Sequence, residues 1–500
     1  MPTRAASATP DVSTDPAIPG TDPRAGESSP AGAGRWDPWV LALTLFAGYA
    51  VVSVGRYRHL GQRSWDLGIF EQVIRSYAHL QAPVADLKGP GFNILGDHFS
   101  PVTVLLAPLY RLFPSSVTLL VAQAALFALS AVPVARAAAR LLGRGRGLAV
   151  GVSYGLSWGI QQAVDFDFHE ICFAVPLLAF ALEAVLARRW RAALLWALPL
   201  VLVKEDLGFT LSALAVVVAW RARDASPRAA RYAVGVAAFG AVAVAVTLLV
   251  LIPAFNSAGS YDYWNKVGES GGGGPLDGLD TKLRTLGWIL IPTTGLLALR
   301  SPLLLVALPT IGWRFVSSYP QYWGTDWHYS AVLMPVAALA LVDAVHTARN
   351  SPRPWLRSYA QHLPAAVAGA SLALTTSLPL AAVTETEIYR KPERVTAIER
   401  LLAEVPDGAS VEANIAPISR LTSRCRVFWV SNTQGVDPDY IALDNSRKRY
   451  RDVEAYARTL HPGARYGVQG TAYGVVLLER QGRARPPQPP CAVATRSRWR

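Results

Sequence analysis

Uncharged apolar runs such as Tyr232–Pro253 and Leu363–Val383 restrict this chain more than any other feature. A helix needs about 20 such residues to cross the roughly 30 Å of bilayer hydrocarbon. With 51% hydrophobic and 17% charged residues in 500, and a mean hydropathy of +0.25, the chain reads as an α-helical polytopic membrane protein. The net charge of +13 raises a nucleic-acid partner, but its distribution argues against one. Arginines gather in short loops between apolar runs: Arg136, Arg140, Arg144 and Arg146; Arg188, Arg189 and Arg191; Arg221, Arg223, Arg228 and Arg231. Cytoplasmic loops carry that excess, so the charge records topology and no nucleic acid is expected.

Residues 1–35 are poor in large apolar side chains and are expected to be a disordered cytoplasmic tail. They lack the basic-then-apolar start of a signal peptide, so the first span, Trp36–Val54, reads as an uncleaved anchor. Spans then fall near 37–54, 115–135, 147–164, 171–187, 192–203, 207–220, 232–253, 286–299, 303–313, 329–346 and 363–383. That is about eleven crossings, with the short pairs allowed to tilt or re-enter. The arginine loops then lie inside a bacterial plasma membrane, with the N-terminus cytoplasmic. The expected organisation is a transmembrane domain over 36–383 with a long first external loop, 56–100. An extracytoplasmic domain, 384–481, and a disordered tail, 482–500, follow.

Outside the membrane, 101–113 reads as an apolar interfacial helix. The loop 254–285 carries Tyr261–Lys266 and a Gly271–Gly274 run. The loop 313–329 is dense in Trp and Tyr, which serves either anchoring at the interface or contact with a sugar or lipid. The external segment alternates helix and strand signals: a helix at 392–404, strands at 410–414, 426–431 and 440–444, a helix at 451–460 and a strand at 473–479. This predicts a small α/β domain. No glycine-rich phosphate loop opens its helices. Cys425 and Cys491 both fall on the external side, where a disulfide would persist, or remain two thiols. Cys172 sits at a membrane boundary as a small buried hydrophobe.

Charged groups at membrane depth are costly and default to functional candidates. Asp66 opens a run with an apolar face, near Glu71 and Arg75. Two carboxylates at a dry boundary repel, raising the pKa of one and suiting it to general-base work. The alternative is an N-cap by Asp66 with Glu71–Arg75 as a surface pair. Asp97-His98 either orients an imidazole or shares a metal, or caps a helix. Asp165-Phe-Asp167-Phe-His169-Glu170 joins carboxylates and imidazole in a set that suits Mg2+ or Mn2+. Lys204-Glu205-Asp206 is a surfacing turn or a pocket lining, with Lys204 a candidate for phosphate. Arg314 is a second phosphate candidate and His328 a further pocket candidate.

Taken together, Trp65–Gln72, Gly96–Pro101, Asp167–Glu170 and Val203–Asp206 resemble the bacterial membrane proteins grouped as the domain-of-unknown-function 2079 family, over about residues 40–480. That family in turn resembles the GT-C fold glycosyltransferases, which use polyprenyl-phosphate sugars as donors and carry an acidic residue in a long first external loop. The resemblance implies that Asp66 is the general base, with Glu71 as its partner. It also implies that Asp165 and Asp167 hold an optional metal, and that Asp97, His98, His169, Glu170, Lys204, Glu205, Arg314 and His328 line the substrate site. The first loop lacks the acidic doublet of that fold. The implied function is sugar transfer from a polyprenyl phosphate to a glycan, lipid or protein acceptor outside the membrane. A transporter or flippase of lipid-linked sugars, and a non-catalytic anchored sensor or assembly protein, are the alternatives.

Overall fold

The computed structural model describes residues 34–61, 64–259 and 276–482. The expectations for Tyr261–Lys266, Gly271–Gly274, Cys491 and nearly all of both tails lie outside the described residues. From Asp37 onward the chain forms one compact unit. In chain order its helices are α1 (Asp37–Arg58), α2 (Asp66–Ala78), α3 (Ala107–Leu112), α4 (Ser116–Leu142), α5 (Arg144–Gly155), α6 (Trp158–Asp165) and α7 (Ile171–Leu186). Next come α8 (Trp190–Ala197), α9 (Leu207–Ala222), α10 (Pro227–Val246), α11 (Ile252–Phe255), α12 (Leu279–Thr294), α13 (Leu308–Val316) and α14 (Pro320–Trp323). The set closes with α15 (Leu333–Ala348), α16 (Pro354–Thr375), α17 (Glu393–Leu402), α18 (Ile415–Leu421) and α19 (Val453–Leu460).

Four helical stretches among the described residues are long and apolar enough to cross a membrane: Asp37–Arg58, Ser116–Leu142, Pro227–Phe255 and His328–Ala348. The expected span 147–164 is instead two helices, broken at Leu156 and Ser157 between α5 and α6. There the Trp158 indole N–H leaves its own helix and donates to the Trp288 carbonyl at 2.9 Å. The expected interfacial helix 101–113 begins as a 3-10 turn, Pro101–Leu106, before α3. Val104, Leu105, Leu109, Leu112 and Phe113 remain exposed on it. The two short segments around Lys204-Glu205-Asp206 form separate elements, α8 with the 3-10 turn Leu198–Leu202 before it and α9 after it.

Two ends of the helical bundle differ in chemistry. At one, Glu183 is buried and accepts two bonds from Arg136, at 2.6 and 2.5 Å, and Arg144 pairs with Asp37 at the start of α1. The other end holds the C-terminus of α1, α2 and the acidic turns.

The five strands are β1 (Ser410–Ala413), β2 (Arg426–Trp429), β3 (Tyr440–Asp444), β4 (Tyr466–Ala472) and β5 (Val475–Arg480), in sheet order β2-β1-β3-β5-β4. The β1 strand runs parallel to β2 and β3, with Val411 opposite Val427 and Tyr440; β5 is antiparallel to β3 and β4. The sequence reading missed β4, whose Tyr-Gly-Val-Gln-Gly-Thr-Ala lacks the dense β-branched signal of a strand. Its pairing with β5 comes from the Tyr473-Gly474 turn, both residues at positive φ. Helix α18, only seven residues with an internal Pro417, was missed too.

The α2 helix is enclosed from two sides. Leu67, Phe70 and Ile74 pack into the bundle core, while Ile69 and Val73 pack with Val411, Val427 and Leu477 of the sheet. This explains why a short helix with charged residues is buried nearly all round. Gly68 permits the close approach of α18: a Cβ there would lie 2.3 Å from Ile418 Cγ2 and 2.9 Å from Leu87 Cδ1. Gly68→Val is therefore expected to destabilise the fold by about 1–3 kcal/mol through overpacking. A fall in the melting temperature of the purified full chain, with cleavage in the α2–α18 region under limited proteolysis, checks this.

Candidate functional site

The site begins with how α2 is held. Glu71 is fully buried and accepts hydrogen bonds from Tyr110 at 3.0 Å, Ser116 at 2.7 Å and Thr422. Those hydroxyls come from α3, α4 and the end of α18, so one carboxyl ties three elements to α2. Burial raises the Glu71 pKa, opposed by the three hydroxyls and by Arg75. Arg75 itself donates to the Thr422 and Cys425 carbonyls at 3.1 and 2.8 Å. Glu71 therefore does not face Asp66 as a second catalytic carboxylate. Nor is it a surface partner of Arg75, because the sheet domain covers that face.

Pinning α2 fixes its first residue, Asp66. No side chain caps the helix from Trp65; instead Ser64 Oγ accepts the Asp66 N–H at 3.1 Å. The same Oγ lies 2.9 Å from Asp66 Oδ2 and 2.8 Å from Asp167 Oδ2, and the Ser64 N–H also donates to Asp167 at 2.9 Å. A hydroxyl has one proton to give, so it cannot serve both carboxylates at once unless one of them carries a proton. Burial, reinforced by Asp66, pushes the Asp167 pKa up to about 7 against the Ser64 hydrogen bonds. Asp66 and Asp167, distant in sequence, thus meet at one serine.

Asp165 does not join them. It pairs with Arg56 at 2.5 Å, which closes the C-terminal end of α1 onto the end of α6. The turn between Asp165 and α7 is held by Ser53, donating to the Val164 carbonyl at 2.7 Å, and by Gln123, accepting the His169 N–H at 2.9 Å. Among the described residues no three His, Cys, Asp or Glu side chains converge to hold a metal ion. The expected Asp165–Asp167 pair is split between Arg56 and Ser64.

A second group of charges lies on the other side of the same turn. Asp97 pairs with Lys88 at 3.0 Å and sits 3.6 Å from His98 Nε2, whose Nδ1 is 3.4 Å from Glu205. Burial works against charge on His98, yet Asp97 and Glu205 outweigh it and raise its pKa. Lys204 Nζ lies 3.2 Å from Glu170 Oε1. His169 Nδ1 is 2.6 Å from Glu170 Oε2, without hydrogen-bond alignment. Burial and Glu205 raise Asp206 to about 6 against the pull of Lys204. Rings join the two groups. Phe70 of α2 stands edge-on to His169 at 5.3 Å, His169 stacks on His328 at 3.7 Å, and Lys88 lies over Trp65 at 5.7 Å. Asn256 anchors the approach by donating to the Gly96 carbonyl at 2.9 Å.

Arg314 departs from expectation. It is buried and donates to the Tyr322 and Gly324 carbonyls, both at 2.8 Å, and to Ser330 at 3.1 Å. It holds the aromatic loop in shape, and a phosphate would have to displace those bonds. Sequence reasoning did not single out Ser64 or Lys88, nor Arg56 as the partner of Asp165. A serine two residues before an aspartate carries no distinctive signal, and Lys88 lies in a loop without periodicity.

The sequence matches the family described as predicted membrane proteins, DUF2079, over residues 56–477. No curated protein matches it. In fold it is similar to the crystal structure of ArnT from Cupriavidus metallidurans bound to undecaprenyl phosphate. That likeness has a TM-score of 0.54 and 14% identity, and covers 89% of this chain and 98% of ArnT. Apo ArnT gives a TM-score of 0.48 at 13% identity, covering 87% and 97%. The Archaeoglobus fulgidus oligosaccharyltransferase tethered to an acceptor peptide gives 0.35 at 12%, covering 87% and 74%. The bound ArnT structure carries the fold comparison: this chain shares its fold over 89% of its own length.

The hydroxyl cage around Glu71 leads to a stability prediction. Glu71→Ala leaves the Tyr110 hydroxyl without its acceptor, while Ser116 and Thr422 keep the Ser419 and Ile418 carbonyls, and the loss of all three bonds is expected to cost about 2–4 kcal/mol. Glu71→Gln, which keeps an acceptor oxygen, costs less. Melting of the two purified variants in detergent measures the difference, and equal losses would contradict the hydrogen-bonding role.

Proposed function

Because the chain belongs to the DUF2079 family of predicted membrane proteins and has a GT-C-like fold, we propose that it is an integral membrane glycosyltransferase. In this reading it transfers a sugar from a polyprenyl phosphate to an acceptor hydroxyl at the extracytoplasmic face of a bacterial plasma membrane. About eleven crossings with an extracytoplasmic sheet domain belong to this reading, which the arginine-rich loops at the opposite end of the bundle support; four helical stretches among the described residues are long and apolar enough to cross by themselves. The observation that carries the reading is the meeting of Asp66 and Asp167 on Ser64.

Asp66 takes the proton of the acceptor hydroxyl, whose oxygen attacks the anomeric carbon. The bond from that carbon to the phosphate oxygen breaks, and the polyprenyl phosphate leaves with the electron pair. Inversion follows from a single displacement. Lys204, with N–H groups to spare beyond its contact with Glu170, is the cation for the departing phosphate. Glu170 and Glu205 hold it charged against burial. Asp97, His98 and Glu205 fix the turn that carries it. Arg314 shapes the aromatic wall. Asp66 and Asp167 would be the carboxylates for a Mg2+ or Mn2+ ion, which binds through one or two carboxylates together with a substrate phosphate and would supply charge for the departing phosphate; no step is routed through an ion.

Asp66→Asn is expected to reduce transfer at least 100-fold while leaving expression and membrane insertion intact, assayed as incorporation of labelled sugar from a polyprenyl-phosphate donor in proteoliposomes. Movement of intact lipid-linked sugar across the vesicle, without a new glycosidic bond, would instead identify a flippase. The rate should rise with pH through about 7 as Asp167 loses its proton, because the acidic pair then presents its full negative charge to the acceptor proton. Asp167→Asn should flatten that rise, and an unaltered profile in the variant would remove Asp167 from the site.

A further inference from the structure

A cavity of about 430 Å3 lies away from Asp66, between the C-terminal half of α2 and the edge of the sheet at β2. From its chemistry we infer that it is a binding site for a saccharide bearing a phosphate or carboxylate. The site is separate from the transfer chemistry. Arg75 lies nine positions along α2 from Asp66, about 14 Å at helical rise.

The charge balance of the walls supports an anion. Asp86, the acid in the lining, is already neutralised: Arg426 Nε and Nη2 bind its two oxygens at 2.8 Å each, and the Gly91 N–H donates at 2.8 Å. Arg75 meets only neutral acceptors, the Thr422 and Cys425 carbonyls, both through Nη1. The carboxyl that feels its positive charge, Glu71, is buried outside the cavity lining, and the other Arg75 nitrogens, like Nη1 of Arg426, make no hydrogen bond among the described residues. Guanidinium groups with open donors recognise phosphate and carboxylate well.

The remaining lining supports a polyol attached to that anion. A cavity of this size falls within the range of small-ligand sites and exceeds what a bare phosphate fills. Ser76 Oγ donates to the Gln72 carbonyl at 3.0 Å and keeps lone pairs for a ligand hydroxyl. His79 Nδ1 lies 2.8 Å from the Arg75 carbonyl, which assigns its proton to Nδ1 and leaves Nε2 as an acceptor. Gln81, exposed at the rim, offers both amide groups. No Phe, Tyr or Trp is among the described lining residues, so an apolar ligand has little to hold it.

Calorimetric titration of the detergent-solubilised full chain, with no donor present, tests the site. The probes are glucose 1-phosphate, glucuronate and glucose. Both anionic sugars are expected to bind with a dissociation constant of about 1 mM or tighter, and glucose at least tenfold more weakly. Arg426→Gln should weaken the anions about fivefold or more. Gln81→Glu, at an exposed side chain without hydrogen bonds, should do the same through repulsion while leaving the melting temperature unchanged. Absence of anion binding up to about 10 mM, equal binding of glucose, or unchanged affinity in Gln81→Glu would overturn the assignment. Because Asp66 takes no part, Asp66→Asn should bind the anions normally, so failure of this site and failure of the transferase reading are told apart.

Discussion

One enclosed carboxyl holds the rest of the arrangement in place. Glu71 gathers Tyr110, Ser116 and Thr422, and a buried acceptor with three donors tolerates little displacement of any of them. Since those hydroxyls belong to the bundle on one side and the sheet domain on the other, α2 cannot shift without breaking both contacts. The first residue of that helix is Asp66. Its position is therefore set by a packing joint five residues away, reinforced by the close approach of α18 across Gly68.

The charges near Asp66 follow a similar logic. Each burial cost is offset by a partner from another part of the chain: Arg56 for Asp165, Ser64 for Asp167, Lys88 for Asp97 and Lys204 for Glu170. Isolated, any of these groups would be expensive. Together they form a polar patch at one end of an apolar bundle. The opposite end uses charge to fasten helices, with Glu183 clasped by Arg136, and this division between fastening and chemistry mirrors the asymmetry of the arginine loops.

Much of the architecture was legible because long apolar periodicity leaves few options. Helices α1, α4, α7 and α9 and strands β1, β2 and β3 fall within a few residues of where hydropathy and alternation put them. The break between α5 and α6 was invisible because Ser157 turns to extended backbone inside an apolar run with no proline to mark it. Asp66 and Asp167 could each be singled out from composition alone, but their meeting could not, since it needs a serine from the loop and the turn held by Gln123. Glu71 read as a partner of Asp66, or else as half of a surface pair with Arg75, because its spacing fits both, and nothing local announces that the sheet domain covers that face. Arg314 read as a free cation for the same reason: its acceptors are main-chain carbonyls, which leave no mark in a sequence.

The most direct measurement is an electron cryomicroscopy map of the protein in lipid nanodiscs loaded with a polyprenyl phosphate. The account predicts phosphate density within hydrogen-bond reach of Lys204, on the side of the turn that faces Asp66 and Asp167, with Arg314 still bound to its carbonyls. Phosphate density at the Glu183 end of the bundle, or Asp66 and Asp167 separated in the occupied state with no ligand between them, would contradict it.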